Sequence, residues 1–268
     1  MGAGTEWWRT GIFEGPWGQV QRRRRTPEQI ARETDFIAGS LGLAPGSRVL
    51  DVPCGTGDLS VALAARGCEV VGVDITRPYV DEARAKADAA GVDLRLHCAD
   101  MRQIGSLGRF DAVLCWWGSF GYLDDDGDRR FLEAVASALR PGGRFLLDTH
   151  VEETLRPTLD APRVWWRSGE TFVLVEREFD PVTRRTETDW YLVGDGGTTR
   201  EHTSIRLYAF DELTELLATA GLEVREVAGA IDGTPFGEGS ARAYLQAERP
   251  PAGADAQQPA ERDTDRAW

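Results

Sequence analysis

The stretch Val49-Leu50-Asp51-Val52-Pro53-Cys54-Gly55-Thr56-Gly57 is where chemistry is most readable, an apolar run that breaks into a glycine turn and resumes as a helical pattern. A strand ending in such a turn carries backbone N–H groups up to a ligand. The spacing is not the GxGxxG of a dinucleotide site, because Ser60 stands where that fingerprint needs its third glycine. Asp74 closes the next apolar run, where a carboxylate can accept both hydroxyls of a ribose. Asp100-Met101 closes a third, and an acid beside a backbone N–H suits the amino group and ring nitrogen of an adenine.

A fourth apolar run ends in Cys115-Trp116-Trp117-Gly118-Ser119-Phe120-Gly121-Tyr122, at the strand ends where such sheets meet ligands. Trp116 is expected on the cofactor, and Trp117, Phe120 and Tyr122 on a substrate. Neighbouring strand residues face opposite sides, so one tryptophan of the pair could belong to the core. His150, just past the fifth apolar run, would overhang the cleft as a general base. A satisfied histidine at a strand end is the plain alternative. His202, Ser204, Arg206 and Tyr208 share one face if 199 to 208 is a strand. Turned into the pocket, that face offers His202 as a second base and Arg206 and Tyr208 as substrate contacts; an exposed or interdomain polar face is equally easy to write. Cys54, Cys68, Cys98 and Cys115 lack a CxxC pair and are expected to be reduced and buried, holding neither zinc nor a disulfide.

The elements that position these residues alternate. Short apolar runs at 48 to 52, 69 to 74, 94 to 98, 110 to 116 and 144 to 148 enclose helical patterns at about 57 to 66, 77 to 90 and 127 to 139, stopped by Gly67, Gly91 and Pro141-Gly142-Gly143. Continuous apolar strands between helices predict an α/β, doubly wound, mostly parallel sheet covered on both faces. Thr26-Pro27-Glu28-Gln29 predicts a helix start, with Ile30, Ile37 and Leu41 on one face until Gly42. Runs at 164 to 168, 171 to 179, 184 to 193 and 199 to 208 predict an antiparallel insertion after strand five. The α/β pattern then returns with Asp211 as N-cap and two strands near 222 to 228 and 241 to 247. Residues 1 to 42 are expected to form a lid and helix, 43 to 150 the core, 151 to 208 the antiparallel cover, 209 to 249 the end of the core and 250 to 268 a disordered tail.

With 268 residues, 28% charged and 41% hydrophobic, the chain is an ordinary globular one. Its net charge of -13 opposes approach to a polyphosphate, so nucleic acid is not an expected partner, and Arg22 to Arg25 is too short a basic run to change that. No window reaches the roughly 18 apolar residues of a bilayer span, so no membrane is expected, and Met1 to Thr10 lacks a signal peptide's apolar stretch. The cytoplasm is the expected compartment. Whether the chain is a homo-oligomer is left open.

Residues 45 to 150 resemble the class I S-adenosylmethionine-dependent methyltransferases. The likeness rests on the glycine turn after Asp51, on Asp74, on Asp100-Met101, on Phe110-Asp111-Ala112-Val113 and on Leu139-Arg140-Pro141-Gly142-Gly143. It implies a Rossmann-like core with S-adenosyl-L-methionine as cofactor. Asp51, Pro53, Gly55 and Gly57 would then belong to the turn that touches the methionine moiety, Asp74 would bind the ribose, Asp100 and Met101 would frame the adenine and Ile75 would pack on its face. Pro53 replaces a frequent glycine of the turn. Arg25 would meet the methionine carboxylate, and Trp17 would close over the cofactor from the lid.

The wider pattern is similar to bacterial methyltransferases of amino sugars and other natural products, with an antiparallel roof over the pocket. It implies direct in-line methyl transfer to a small-molecule N or O acceptor in secondary metabolism. C-methylation, a non-methylating reaction, an RNA or protein acceptor and a non-catalytic scaffold are the alternatives.

Overall fold

The computed structural model describes residues 6–9 and 11–251, so the tail expected at 250 to 268 lies, from residue 252 onward, outside the described residues. The elements in order are α1 (Pro16–Arg23), α2 (Pro27–Leu41), β1 (Arg48–Asp51), α3 (Asp58–Ala65), β2 (Glu69–Asp74), α4 (Arg77–Ala90), β3 (Leu94–Cys98), β4 (Phe110–Cys115), α5 (Asp125–Ala138) and β5 (Leu139–Thr149). There follow α6 (Glu152–Leu159), β6 (Arg163–Ser168), β7 (Thr171–Asp180), β8 (Arg185–Gly194), β9 (Gly197–Arg206), α7 (Phe210–Thr219), β10 (Glu223–Ala228) and β11 (Ala243–Glu248).

Seven strands form one sheet in the order β10-β11-β5-β4-β1-β2-β3, in which β1 to β5 are parallel and β11 is antiparallel to both β5 and β10. The strand order reverses between β1 and β4, and the crevice outside the carboxyl ends at such a reversal is where ligands bind in open α/β sheets. Alternate side chains of the central strands feed two cores. Leu50, Val113 and Cys115 pack with Phe131 and Leu132 of α5, whereas Val49, Ala112 and Leu114 pack with Ile37, Leu41 and Leu63 of α2 and α3. That double burial is why these strands read as unbroken apolar runs.

Strands β6-β7-β8-β9 form a second, wholly antiparallel sheet. Its inner face, with Val173, Val175 and Leu192, packs on Val20 of α1, with Trp17, Trp166 and Trp190 around them. α1 and α6 were not expected from the sequence. Gly18 inside α1 reads as a breaker, but a Cβ there would lie only 1.8 Å from the Phe13 carbonyl oxygen, so close chain approach requires the glycine. α7 begins two residues earlier than predicted, with Ala209 rather than Asp211 as N-cap and the Glu212 carboxylate accepting the Ala209 N–H at 3.3 Å. Cys54, Cys68 and Cys115 are buried as expected, but Cys98 is exposed because β3 is an edge strand. No helix among the described residues is long and apolar enough to cross a membrane.

Candidate functional site

Residues from the N-terminal segment, α1, α2 and the ends of β1, β2, β3 and β4 wall one open cavity of ≈ 1230 Å³, counted to its mouth. At one end, Asp74 is buried, and each carboxylate oxygen accepts a backbone N–H, Oδ2 from Gly55 at 2.9 Å and Oδ1 from Thr76 at 2.8 Å. A carboxylate has about four lone-pair positions, so one per oxygen stays available for a diol. Burial raises the Asp74 pKa, while the Thr76 and Gly55 hydrogen bonds oppose the rise.

Asp100 is engaged differently. Its Oδ1 accepts from the Arg102 N–H at 3.0 Å and Nε at 2.9 Å, and its Oδ2 from Arg102 Nη2 at 2.6 Å and Arg9 Nη2 at 2.8 Å. Burial alone would raise its pKa, but the Arg102 hydrogen bonds and the Arg102 and Arg9 charges hold it below the usual range. All its lone pairs are thus in use. An adenine amino group would have to compete with Arg9, the donor contributed by the N-terminal segment.

Beside Asp74 lies the glycine turn. Gly55 has φ +54, and a Cβ there would stand 3.4 Å from Arg25 Nη1, so the Arg25 guanidinium lies against the turn. The same guanidinium sits 5.0 Å from the Trp117 ring centroid and 3.5 Å from Asp58. Asp51, 1% exposed, accepts from Ser60 Oγ at 2.5 Å, and burial pushes its pKa up to about 7. Trp17 Nε1 and Arg25 Nε are among the polar atoms on the wall that are buried without a hydrogen-bond partner.

The cavity therefore brings together Trp17, Arg25, Asp51, Pro53, Gly55, Asp74, Ile75, Asp100, Met101, Trp116, Trp117 and Tyr122 from the sequence-predicted set. Both tryptophans reach the wall because β4 ends at Cys115 and Trp117 takes φ 62, which turns the chain out of strand alternation. The Trp117 N–H is fixed by Asp148 Oδ2 at 2.9 Å. The sequence pointed to neither Glu33 nor Tyr79, which also line the cavity. Glu33 had a signal, since it falls on the α2 stripe of Ile30, Ile37 and Leu41 where an apolar residue belongs.

Six expected residues do not line the cavity. Gly57, φ +78, is the N-cap of α3, and its missing side chain admits Ala83 of α4, whose Cβ would be 2.6 Å from a Cβ at Gly57. Phe120 is core, against Phe131 and Tyr208. Tyr208 donates its hydroxyl to Asp128 at 3.0 Å in the interior. Arg206 is buried between Asp125 of α5 and Glu212 of α7 and donates to the Leu207 carbonyl. His150 contacts Arg242, and burial, with the Arg242 and Arg177 charges, lowers its pKa to about 3, so it stays neutral and cannot hold a proton near neutrality. His202 lies on the outer face of the second sheet, half-exposed between Asp189 and Glu187. The period-two alignment is right there, but Thr203 is the residue that turns inward. The sheet itself supplies no cavity residue; α1 lies between it and the cleft.

A family described as a methyltransferase domain matches residues 49–143. The cypemycin N-terminal methyltransferase of Streptomyces sp. is 30% identical over 210 residues, 76% of this chain and 84% of that one. An S-adenosylmethionine-dependent methyltransferase from Clostridium acetobutylicum shares the fold, with TM-score 0.75 and 20% identity over 90% of this chain and 98% of that one. So does S-adenosylmethionine-bound CalS10 from Micromonospora echinaspora, an amino pentose methyltransferase, with TM-score 0.61 and 22% identity over 88% and 97% of the two chains. With glycine turn, buried Asp74 and sheet order in place, the chain belongs to the S-adenosylmethionine-dependent methyltransferases.

Proposed function

We propose that this methyltransferase acts on a nitrogen or oxygen of a small-molecule natural-product acceptor, by direct in-line transfer inside the cavity under α1. The observation that supports it is one cavity whose wall holds Asp74 and the Gly55 turn together with the aromatic side chains Trp17, Trp116, Trp117 and Tyr122, with Trp8 and Phe13 of the N-terminal segment on the same wall. The cofactor supplies an activated methyl group. Asp74 holds the ribose hydroxyls through its remaining lone pairs, and Ile75, Asp100 and Met101 frame the adenine. Asp51, Pro53 and Gly55 shape the turn against the methionine end, with Arg25 on its carboxylate. Trp17 and Trp116 close on the cofactor, Trp117 and Tyr122 bound the acceptor, and the aromatic wall keeps water from the transfer.

Neither expected histidine base lines the cavity. A neutral amine attacks through its lone pair and needs no base at that moment, so nitrogen suits this wall better than an alcohol oxygen. The cypemycin N-terminal methyltransferase and the amino pentose methyltransferase, judged by their names, lend support to an amine.

Calorimetric titration with S-adenosylmethionine and S-adenosylhomocysteine, with NAD as control, tests the cofactor assignment. Micromolar binding of the adenosyl pair and none of NAD is expected. Mass-spectrometric screening of matched amines and alcohols then tests the acceptor: methylation of alcohols alone would overturn the preference for nitrogen.

A further inference from the structure

The second sheet contributes no side chain to the cavity wall, yet one of its arginines reaches the chain that forms that wall. Arg185, at the start of β8, directs its guanidinium at uncharged oxygens. Nε donates to Ser204 Oγ at 2.7 Å, Nη2 to the Ser204 carbonyl at 2.7 Å and Nη1 to the Leu123 carbonyl at 2.9 Å, with the Gly121 and Tyr122 carbonyls 3.5 Å from Nη2. A planar fork of five donors can hold two chain segments in a fixed relation, which an ammonium group on a flexible stem cannot. The segments here are β9 at Ser204 and the loop after β4, whose Tyr122 and Leu123 line the cavity. The Gly121 carbonyl of that loop also accepts the Arg206 N–H at 2.7 Å, and a Cβ at Gly121 would stand 2.4 Å from the Arg206 carbonyl oxygen, so loop and sheet meet main chain to main chain. The Ser204 carbonyl has a second donor, the N–H of the buried Trp7 indole, at 2.7 Å. A carbonyl oxygen has two lone pairs, and Arg185 and Trp7 fill both. Trp7 in turn lies edge-on to Tyr122, with ring centroids 4.7 Å apart.

We infer that Arg185 is a positioning residue for the acceptor wall: through the Leu123 and Ser204 carbonyls it sets Tyr122 and the N-terminal segment in place before the acceptor arrives. The second sheet then shapes the pocket without touching what the pocket holds. The inference rests on the proposed function, in which Tyr122 bounds the acceptor. Without the fork, the competent wall is populated only in part and the apparent affinity for the acceptor falls by that fraction. An acceptor once bound restores the wall, so the loss falls on KM and spares kcat.

R185K and R185M are compared with wild type by hydrogen–deuterium exchange of the ligand-free proteins, and by steady-state kinetics on the amine that screening finds methylated. Exchange at residues 7–9, 11–13 and 119–123 is expected to speed about tenfold or more in both variants, the scale of a hydrogen bond from a charged donor. Strands β1 to β5 are expected to keep their wild-type rates, which also reports an intact fold. The acceptor KM is expected to rise about tenfold, with kcat within about twofold of wild type. Wild-type behaviour of R185K would show that charge suffices and overturn the fork; so would acceleration spread evenly through the molecule, or a local acceleration that leaves KM unchanged. Should neither variant fold, W7F removes only the indole donor to Ser204, and unchanged exchange at residues 7–9 and 119–123 in it overturns the proposal. Methylation of no amine by wild type would instead overturn the proposed function, and the exchange comparison would still decide whether Arg185 holds the wall.

Discussion

Asp74 shows how much one side chain can organise. It closes the glycine turn through the Gly55 N–H and caps the start of the next loop through the Thr76 N–H, with lone pairs left over for a ligand. Asp74→Ala removes the ribose acceptor and leaves both amides unpaired. The expected loss of S-adenosylhomocysteine affinity is about 1.5–3 kcal/mol by calorimetry, and unchanged affinity in a folded variant would remove Asp74 from the ribose. His150 illustrates the opposite case. Its place after β5 suggested a base, but what its imidazole meets is Arg242, and burial beside that guanidinium keeps it neutral.

Among the elements, α2 matters most to the site, because it presents Glu33 and begins next to Arg25. Its start is fixed locally, with Pro27 in the first turn and Thr26 Oγ1 accepting the Gln29 N–H at 3.2 Å, and Gly42 at φ 63 ends it. Thr26→Ala should cost about 1 kcal/mol in a denaturation experiment. Gly57→Ala acts at the junction of α3 and α4. The residue needs φ +78, and the added methyl meets Ala83 at 2.6 Å, so the variant should lose at least about 1–3 kcal/mol of stability. A neutral Gly57→Ala would mean that α3 and α4 can separate without cost.

For the whole molecule, the tie between core and cover is polar. Tyr208, past the end of β9, donates to Asp128 of α5, while Arg206 joins α5 to α7. Burial pushes the Asp128 pKa up to about 7 from 3.8. Between those values the folded protein holds a proton that the unfolded chain has released, so this group's contribution falls by about 1.4 kcal/mol per pH unit as pH rises, and the loss is complete above the folded value. Asp128→Asn keeps an acceptor for Tyr208 and removes the titration. Its melting temperature relative to wild type should therefore climb from about pH 4 to pH 7; a constant difference across that range would contradict the assignment.

What the sequence determined by itself was whatever depends on neighbours along the chain. The apolar runs at 48 to 52 and 110 to 116, the glycine turn after Asp51 and the stops at Gly42 and Gly91 are local patterns, and the parallel sheet and its ligand-facing turn follow from them. Only tertiary structure could decide which face of a strand looks at the ligand and which partner a polar side chain finds. Strand β9 ends at Arg206, short of Tyr208, and packing of Val173, Val175 and Leu192 on α1 turns His202 outward. Trp116 and Trp117 both reach the cavity because the chain bends at φ 62 where the fold holds the Trp117 N–H on Asp148. Whether Arg206 and Tyr208 touch a substrate or hold two layers together depends on Asp125, Glu212 and Asp128, which approach only on folding. Position on an element is a local property, whereas burial and partner are set by segments far apart in the chain.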